Sequence, residues 1–530
     1  MIKKLKYNVL FGLSIGTLFI IIEMIFRFQH DSLITFLKIS DYLTILSLFF
    51  LVSFLKQTFS SILLIITSSL FIIEIGHFNY FGYFLFPMEF ILFFTKSNEI
   101  FETLGTKLDI LIEPIIYSLT LYYLIGQINH HTIDRVKLNN IKYLFLLFIL
   151  IPIINTAIHY KERTLGEKPD TNKSIIKNSL YVSKSFIGKT LLLHIFNIQV
   201  VKDYKQDSFI SKKENQIDNI ILVIGESLSL HYMSLYGYKT NTTKNLDSMK
   251  STYTNLHVSK AISAGVFTDI SIPMILNIEK KPNAIKHILS NKTNLFKLAK
   301  NHNFVTHWIS SQANDGFSYI RSYMGLKYID NYIDSTNYGF DKFTSGYDSI
   351  IYNEIKKINL DKSNNFIVLN MVGSHSPYKK RVPDNFKPFG EENELRHYEN
   401  SVAYTDKIIS DIIKHIEKTS KSKTLLIFTS DHGESVSKDS YGHGNINNKK
   451  HYQVPLIFFS NNFTLDKKII EIIKQEYLSH YTMSLICSHY LGYDTLNKVD
   501  KNTAFVIGND LSGNAGYIEY NLTNNSVRLK

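Results

Sequence analysis

The sequence predicts two parts of different chemistry. Residues 1–160 read as an α-helical transmembrane bundle of five spans. Residues 217–530 read as an α/β domain with a mostly parallel central sheet, and 161–216 as the connector between them. Three observations carry this expectation. Nearly all the long apolar runs lie in the first 160 residues. Beyond residue 217, short β-branched runs alternate with helical periodicity, the pattern of a parallel sheet covered on both faces. The mean hydropathy of −0.03, in a chain of 530 residues that is 45% hydrophobic, is too apolar for disorder and too polar for a chain built mostly of membrane helices. An average over two unlike parts gives that value.

The spans fall at Asn8–Phe26, Tyr42–Leu55, Ser60–Ile75, Ile110–Gln127 and Tyr143–Tyr160. A bilayer core asks for about 20 mostly apolar residues. The second and third are short and separated by little more than Lys56, so they read as a helical hairpin or one broken segment. Lys3, Lys4 and Lys6 precede the first span, Lys56 follows the second, and Arg135, Lys137 and Lys142 separate the fourth from the fifth. These are alternate loops, which places the N-terminus in the cytoplasm and everything after Tyr160 outside. No small-residue cleavage site follows the first apolar run, which disfavours a cleaved signal peptide. Charges inside the spans read as nearly absent, which disfavours a transporter.

The aromatic stretch Asn79–Gly105 reads as an interfacial amphipathic helix or a loop packed on the bundle. From Lys161 to Gln216 the chain is polar and lysine-rich, with an apolar island at Leu191–Val200. In the last part the expected strands are Asn219–Ile224, Phe304–Ile309, Phe366–Met371, Thr424–Phe428 and Val454–Phe459. Helical periodicity marks Asn294–Lys300, Asn400–Lys418 and Lys468–Leu491.

Composition limits the chemistry. The one cysteine, Cys487, forms no intrachain disulfide and excludes zinc fingers and iron–sulfur sites. A catalytic metal must therefore rest on His and carboxylate ligands. The net charge of +12 suits an anionic envelope. Nucleic acid is disfavoured as a partner, because the expected topology puts the large domain outside the cytoplasm.

In doubly covered sheets, chemistry gathers at the C-terminal strand ends. Here those ends carry Gly225-Glu226-Ser227, Gly373-Ser374-His375-Ser376-Pro377 and Asp431-His432-Gly433-Glu434, with Tyr441-Gly442-His443-Gly444 downstream. Glu226, Asp431 and His432 supply oxygen and imidazole donors that suit zinc with a position left for a reacting group. Gly433 would permit the turn that lets adjacent Asp and His reach one ion. Glu226 alone reads equally as a carboxylate at a helix N-terminus, and Ser227 as an N-cap rather than a nucleophile. Thr268 follows a small-residue turn and opens a helix, so its hydroxyl is the candidate nucleophile, activated by a nearby metal. Ser263 and Ser271 compete with it.

Taken in order, Val223-Ile-Gly-Glu226-Ser, Met233-Ser-Leu-Tyr-Gly-Tyr238, Ala264-Gly-Val-Phe-Thr268 with Ser271-Ile-Pro273, Trp308-Ile-Ser-Ser-Gln312, Gly373-Ser-His375-Ser-Pro, Tyr398-Glu-Asn-Ser-Val-Ala-Tyr-Thr-Asp406, Ser430-Asp431-His432-Gly-Glu434-Ser and Gly442-His443-Gly form a set. That set resembles the bacterial inner-membrane phosphoethanolamine transferases, whose soluble domain belongs to the alkaline phosphatase and sulfatase superfamily. It spans almost the whole expected soluble domain.

The resemblance implies that Glu226, Thr268, Asp431 and His432 bind a catalytic zinc, and that Thr268 carries phosphoethanolamine as a covalent intermediate. It implies that His375 and His443 contact the phosphate or a second zinc, or protonate the leaving group. Apart from the resemblance, His397 has no ligand spacing and reads as ordinary surface or, from its place beside Tyr398, as a residue lining the acceptor cleft. The implied partners are a phospholipid donor, phosphatidylethanolamine, and an acceptor in lipopolysaccharide, lipid A or another envelope molecule. The implied location is the inner membrane, with the catalytic domain in the periplasm.

Many lipid A-modifying members carry Cys-Gly-Thr before the nucleophile, and several disulfides. This chain has Ala264-Gly265-Val266 and a single cysteine. The Trp308-Ile-Ser-Ser-Gln312 stretch looks closer to members that modify core sugars. The Cys/Ser-x-Pro-x-Arg motif of sulfatases is absent around Thr268. Alternatives are a phosphoglycerol transferase of the same fold, and a periplasmic glucan or surface protein as acceptor. Trp308 reads as a wall residue near the site or as core.

Overall fold

The computed structural model describes residues 2–30, 37–81, 84–85, 108–141, 143, 147, 150–151, 154, 174–187, 201–211, 217–314, 320–362, 364–437, 440–514 and 516–530. The chain divides into two compact units, Met1–Val200 and Val201–Lys530, with Lys438–Tyr441 excepted from the second.

The N-terminal unit is helical: α1 (Ile2–Gln29), α2 (Ile39–Val52), α3 (Gln57–Phe81), α4 (Leu108–His131) and α5 (Ile175–Ser185). Among the described residues two helical stretches are long and apolar enough to cross a membrane, Ile2–Gln29 and Gln57–Asn79; Ile39–Val52 is apolar but shorter. The second and third expected spans are separate helices broken at 53–56. The fifth expected span, the Asn79–Gly105 stretch and the Leu191–Val200 island lie largely or wholly outside the described residues. Within the span read as connector, Ile175–Ser185 is a helix capped by the Ser174 side chain, which accepts from Lys177 N.

Two glycines let α1 and α2 approach closely. A Cβ on Gly12 would sit 2.7 Å from Phe50 Cα, and one on Gly16 would sit 2.8 Å from Leu46 Cδ2. Phe19 stacks on Phe49 at 4.9 Å between ring centroids and meets Phe71 edge-on at 5.2 Å. The expectation of nearly charge-free spans is corrected here. Glu23 and Arg27 pair at 2.9 Å, with side chains 0% and 3% exposed, and Ile175 N donates to Glu23. Glu74 accepts from Asn178 at 2.7 Å and from Leu85 N at 2.9 Å. The partners of both acids come in part from distant segments, so local hydropathy shows neither arrangement.

The larger unit is built on an eight-stranded sheet. In chain order its main elements are β1 (Asn219–Gly225), β2 (Leu256–Ile262), α6 (Thr268–Leu276), α7 (Leu295–Lys300), β3 (Val305–Ser310), β4 (Asn331–Ile333), β5 (Asn365–Asn370), α8 (Glu394–Thr419), β6 (Thr424–Ser430), β7 (Gln453–Asn461), α9 (Lys467–Ile473), β8 (Leu478–Ser479) and α10 (His480–Tyr490). The sheet order is β8-β2-β7-β6-β1-β5-β3-β4. All neighbours are parallel except that β7 runs antiparallel to both β2 and β6. A smaller sheet, β9 (Thr503–Ile507), β10 (Tyr517–Asn521) and β11 (Val527–Leu529), is antiparallel.

The expected strands appear within a residue or two, and β1, β5, β6 and β7 are buried along their whole length. That burial is why they read as continuous apolar runs. The helical reading of Lys468–Leu491 is corrected: it is two helices, with the β8 strand between them pairing with β2. The helical period runs on across the break, and only the sheet partner reveals it. Trp308 is fully buried, edge-on to Phe296, which packs in turn on Phe366, so it belongs to the core.

Register decides where chemistry can gather. In the parallel ladder Gly225 pairs with Ser430, Ile224 with Asn370, and Ser310 with Asn370. Four strands therefore end in line. The C-terminal end of β2 and the N-terminal end of β7 share this edge, because Ile262 pairs with Gln453.

Candidate metal centre

Gly225 and Ser430 are register partners, so Glu226 and Asp431 leave the sheet side by side. His432 follows at once. All three side chains are 2% exposed or less, and one ligand atom from each lies within 4.8 Å of the others. His432 Nε2 is 3.3 Å from Glu226 Oε1 and 3.4 Å from Asp431 Oδ2.

Thr268, the first residue of α6, brings its hydroxyl into this cluster. Oγ1 is 2.7 Å from Asp431 Oδ2, 3.1 Å from Glu226 Oε2 and 3.3 Å from His432 Nε2. The start of a helix also favours negative charge. Its rivals do other work. Ser263 Oγ donates to Gly265 O, and Ser271 Oγ accepts from Gly265 N at 3.1 Å, so both hydroxyls brace the turn before Thr268.

Each donor is held by a second set of contacts. Asp431 Oδ1 accepts from His432 N at 2.6 Å and Ser227 N at 3.1 Å, leaving Oδ2 for the cluster. His432 Nδ1 is 3.0 Å from Gly433 O, which fixes the tautomer with Nε2 as the free donor atom. Glu226 accepts from Ser227 Oγ at 2.9 Å and from Gln312 Nε2 at 3.0 Å. The expectation of Ser227 as an N-cap is corrected: its side chain serves Glu226, and its backbone is left-handed at φ 55°. Gly433 is needed for a different reason from the one expected. A Cβ there would lie 2.0 Å from Lys450 O, so close approach rather than a special dihedral requires glycine. Gly373, at φ 50°, leaves no room for a Cβ, which would meet the Glu226 backbone at 2.7 Å.

Burial and mutual charge shape the electrostatics. Burial and the Glu226 charge push Asp431 up to about 8. Burial also raises Glu226, but the His432 hydrogen bond and charge, with His375, outweigh it and hold Glu226 below the usual carboxylate range. Burial lowers His432, yet the Asp431 charge and the Glu226 hydrogen bond hold it up to about 10. A set that clings to protons in this way has a field that favours a cation.

The histidines divide. His443 lies over His432 with ring centroids 4.1 Å apart, and its Nδ1 is 3.1 Å from Glu434 Oε2. His375 sits 6.2 Å from His443 between centroids, on the loop after β5. Buried Asp348 holds that loop by accepting from Val372 N at 2.9 Å and Gly373 N at 3.1 Å. His397 is in the first turn of α8. It is its neighbour Tyr398 whose hydroxyl reaches the loop after β1, donating to Ser227 O at 2.7 Å. Sequence reasoning quoted Gln312 without a role and passed over Asp348. The strand-end rule, applied to β3, would have singled out Gln312.

The sulfatase family model matches residues 218–487. The chain is 31% identical over 261 residues to the phosphoethanolamine transferase EptA of Helicobacter pylori, a match covering 46% of this chain and 47% of that protein. It is 25% identical over 472 residues to the phosphoethanolamine transferase EptC of Escherichia coli K12, covering 80% of each. The chain thus spans about half the length of the first relative and four-fifths of the second. Among solved structures it is similar to the integral membrane protein lipooligosaccharide phosphoethanolamine transferase A of Neisseria meningitidis, with a TM-score of 0.60, 15% identity, and coverage of 93% of this chain and 96% of that one. This last likeness shows the fold. The relatives' names bear out the resemblance drawn from the motifs.

Proposed function

The chain belongs to the sulfatase family, and from that premise we propose that it transfers phosphoethanolamine from a phospholipid to an envelope glycolipid through a covalent intermediate on Thr268. The observation that carries the reading is the Thr268 hydroxyl within 3.3 Å of two buried carboxylates and an imidazole.

Glu226, Asp431, His432 and Thr268 would hold zinc. The fit rests on the donor set: compact, buried, oxygen-rich, with His432 Nε2 freed by the bond at Nδ1. When bound, the ion would supply Lewis acidity that lowers the hydroxyl pKa and offsets phosphoryl charge. In its ionised form Asp431, whose Oδ2 is 2.7 Å from Oγ1, is the nearest base for the hydroxyl proton. Oγ1 attacks phosphorus, the bond to the diacylglycerol oxygen breaks, and that oxygen takes a proton from His443 or His375. An acceptor hydroxyl oxygen then attacks the same phosphorus, giving its proton to the histidine that protonated the leaving oxygen; the bond to Oγ1 breaks, and Oγ1 takes back its proton from Asp431, restoring Thr268. The start of α6 steadies the negative charge beside it.

We read the N-terminal unit as a five-span inner-membrane anchor, with the catalytic unit in the periplasm close to its lipid donor. The departures at Ala264-Gly265-Val266 and the single cysteine weigh against lipid A as acceptor, and the Trp308–Gln312 stretch resembles members that modify core sugars. Incubating the full chain in detergent with phosphatidylethanolamine should label Thr268 with phosphoethanolamine, seen by peptide mass spectrometry. Thr268→Ala should be folded and unlabelled. A labelled Thr268→Ala protein, or a glycerophosphate adduct in place of phosphoethanolamine when phosphatidylglycerol is supplied beside phosphatidylethanolamine, overturns the reading.

A further inference from the structure

We propose that the buried imidazole of His480 is the positioning residue that ties the turn bearing Thr268 to the strand bearing Asp431. His480 opens α10 and is 1% exposed. The Ala264 backbone N–H donates to its Nδ1 at 3.2 Å. Its Nε2 lies 3.1 Å from Thr429 Oγ1, and that hydroxyl donates to Pro455 O at 2.8 Å.

These bonds leave one consistent proton arrangement. Nδ1 must accept, because a backbone N–H faces it, so the ring proton sits on Nε2. Thr429 Oγ1 accepts that proton because its own hydrogen is committed to Pro455 O. The imidazole thus spans two elements with a defined polarity. On one side is Ala264, four residues before Thr268. On the other is Thr429, two residues before Asp431.

His480 is itself held in place. Ser479 pairs with Ile262 across the β8–β2 ladder, and its side chain caps α10 by accepting from Thr482 N at 3.1 Å. Ser484 Oγ donates to Ile275 O at 3.0 Å, so α10 also grips the far end of α6. The rest of the turn is tied elsewhere: Ala264 O accepts from Ile507 N at 2.9 Å, and Val266 N donates to Ile507 O at 3.2 Å. Among these ties, His480 is the side chain that joins the turn to the strand end of the metal cluster. An Oγ1 that must lie within about 3 Å of its reaction partner is sensitive to slack at this point.

The kinetic arm of the test rests on the transfer reaction proposed above; a second arm does not. In the full chain, His480→Leu keeps the volume and removes both bonds, while His480→Asn restores an acceptor where Nδ1 stood. Hydrogen exchange read by mass spectrometry should show the peptide over 263–268 exchanging roughly 10-fold faster in His480→Leu, and at near wild-type rate in His480→Asn. The transfer rate should fall roughly 10- to 100-fold in kcat with KM unchanged in His480→Leu, and recover in His480→Asn. Equal exchange in wild type and His480→Leu overturns the inference. Equal loss in both variants also overturns it, since a packing role would not distinguish them. If the wild type transfers no phosphoethanolamine, the functional reading fails, while the exchange comparison still decides the role of His480.

Discussion

Buried acids occur in both units of this molecule, and they differ in what surrounds them. In the N-terminal unit Glu23 faces Arg27 four residues on, at 2.9 Å, and accepts a backbone N–H. Its charge is cancelled from its own helix. In the larger unit Glu226 and Asp431 face each other across a β ladder, and their shared neighbours are one imidazole and one hydroxyl. Without an ion, their charges are offset only by protons held on Asp431 and His432, which a bound cation would displace. The first arrangement staples a helix; the second is the candidate site. A buried carboxylate therefore signals chemistry only when its partners leave a charge deficit that a ligand can fill.

Breaking either arrangement tests this contrast. The largest effect is expected at the site. Asp431→Asn should remove bound zinc and cut transfer by at least about a thousandfold while the fold survives. Metal analysis and activity of the same preparation check it; a fully active, zinc-loaded variant would place the metal elsewhere. In the staple, Arg27→Leu strands Glu23 and should destabilise the N-terminal unit by about 3–5 kcal/mol, leaving kcat per folded molecule unchanged. Denaturation in detergent micelles together with activity per folded molecule reads this.

A smaller effect is expected where the site is only supported. Gln312→Leu deletes the hydrogen bond to Glu226 and should weaken zinc affinity about 10- to 100-fold, measured by competition with a chelator. The smallest concerns Asp348, whose carboxyl burial pushes up to about 6 from the ordinary 3.8 despite bonds from Ser311, Val372 N and Gly373 N. A raised acid pKa means the folded state holds its proton more tightly than the unfolded chain. Stability contributed by Asp348 is therefore full below about pH 3.8 and is lost as pH rises towards 6. Asp348→Asn should remove that part of the slope, seen as a flatter Tm–pH curve than wild type between those values. An unchanged slope would assign the dependence to other groups.

Much of the fold was legible because burial on both faces writes a plain pattern. β1, β5, β6 and β7 are buried throughout with apolar centres, and the charged and imidazole residues just past the ends of β1, β5 and β6 stand out against them. That contrast singled out Glu226, Asp431, His432 and His375. Thr268 stood out less, since a threonine at a helix start reads the same whether it caps or reacts. Periodicity found α7 and most of α8 but misled at Lys468–Leu491, which keeps a helical period through the β8 strand. The buried charges of α1 and α3 escaped notice because partners such as Ile175, Asn178 and Leu85 are remote in sequence.

The residue types alone narrowed the chemistry. With one cysteine, only oxygen and imidazole could hold a metal, and their places at strand ends indicated one edge of one sheet. Folding then decided which of them meet. The pairing of Gly225 with Ser430 sets Glu226 against Asp431 across more than 200 residues of chain. A slip of one residue in that ladder would turn one of the two carboxylates to the opposite face. The same sheet, continued through antiparallel β7 to β2, delivers Thr268 and sets His480 behind it, and continued the other way through β5 to β3 it brings Gln312 to Glu226. Local sequence carries no record of these contacts, because hydrogen bonds between distant segments depend on register and packing rather than on neighbours in the chain.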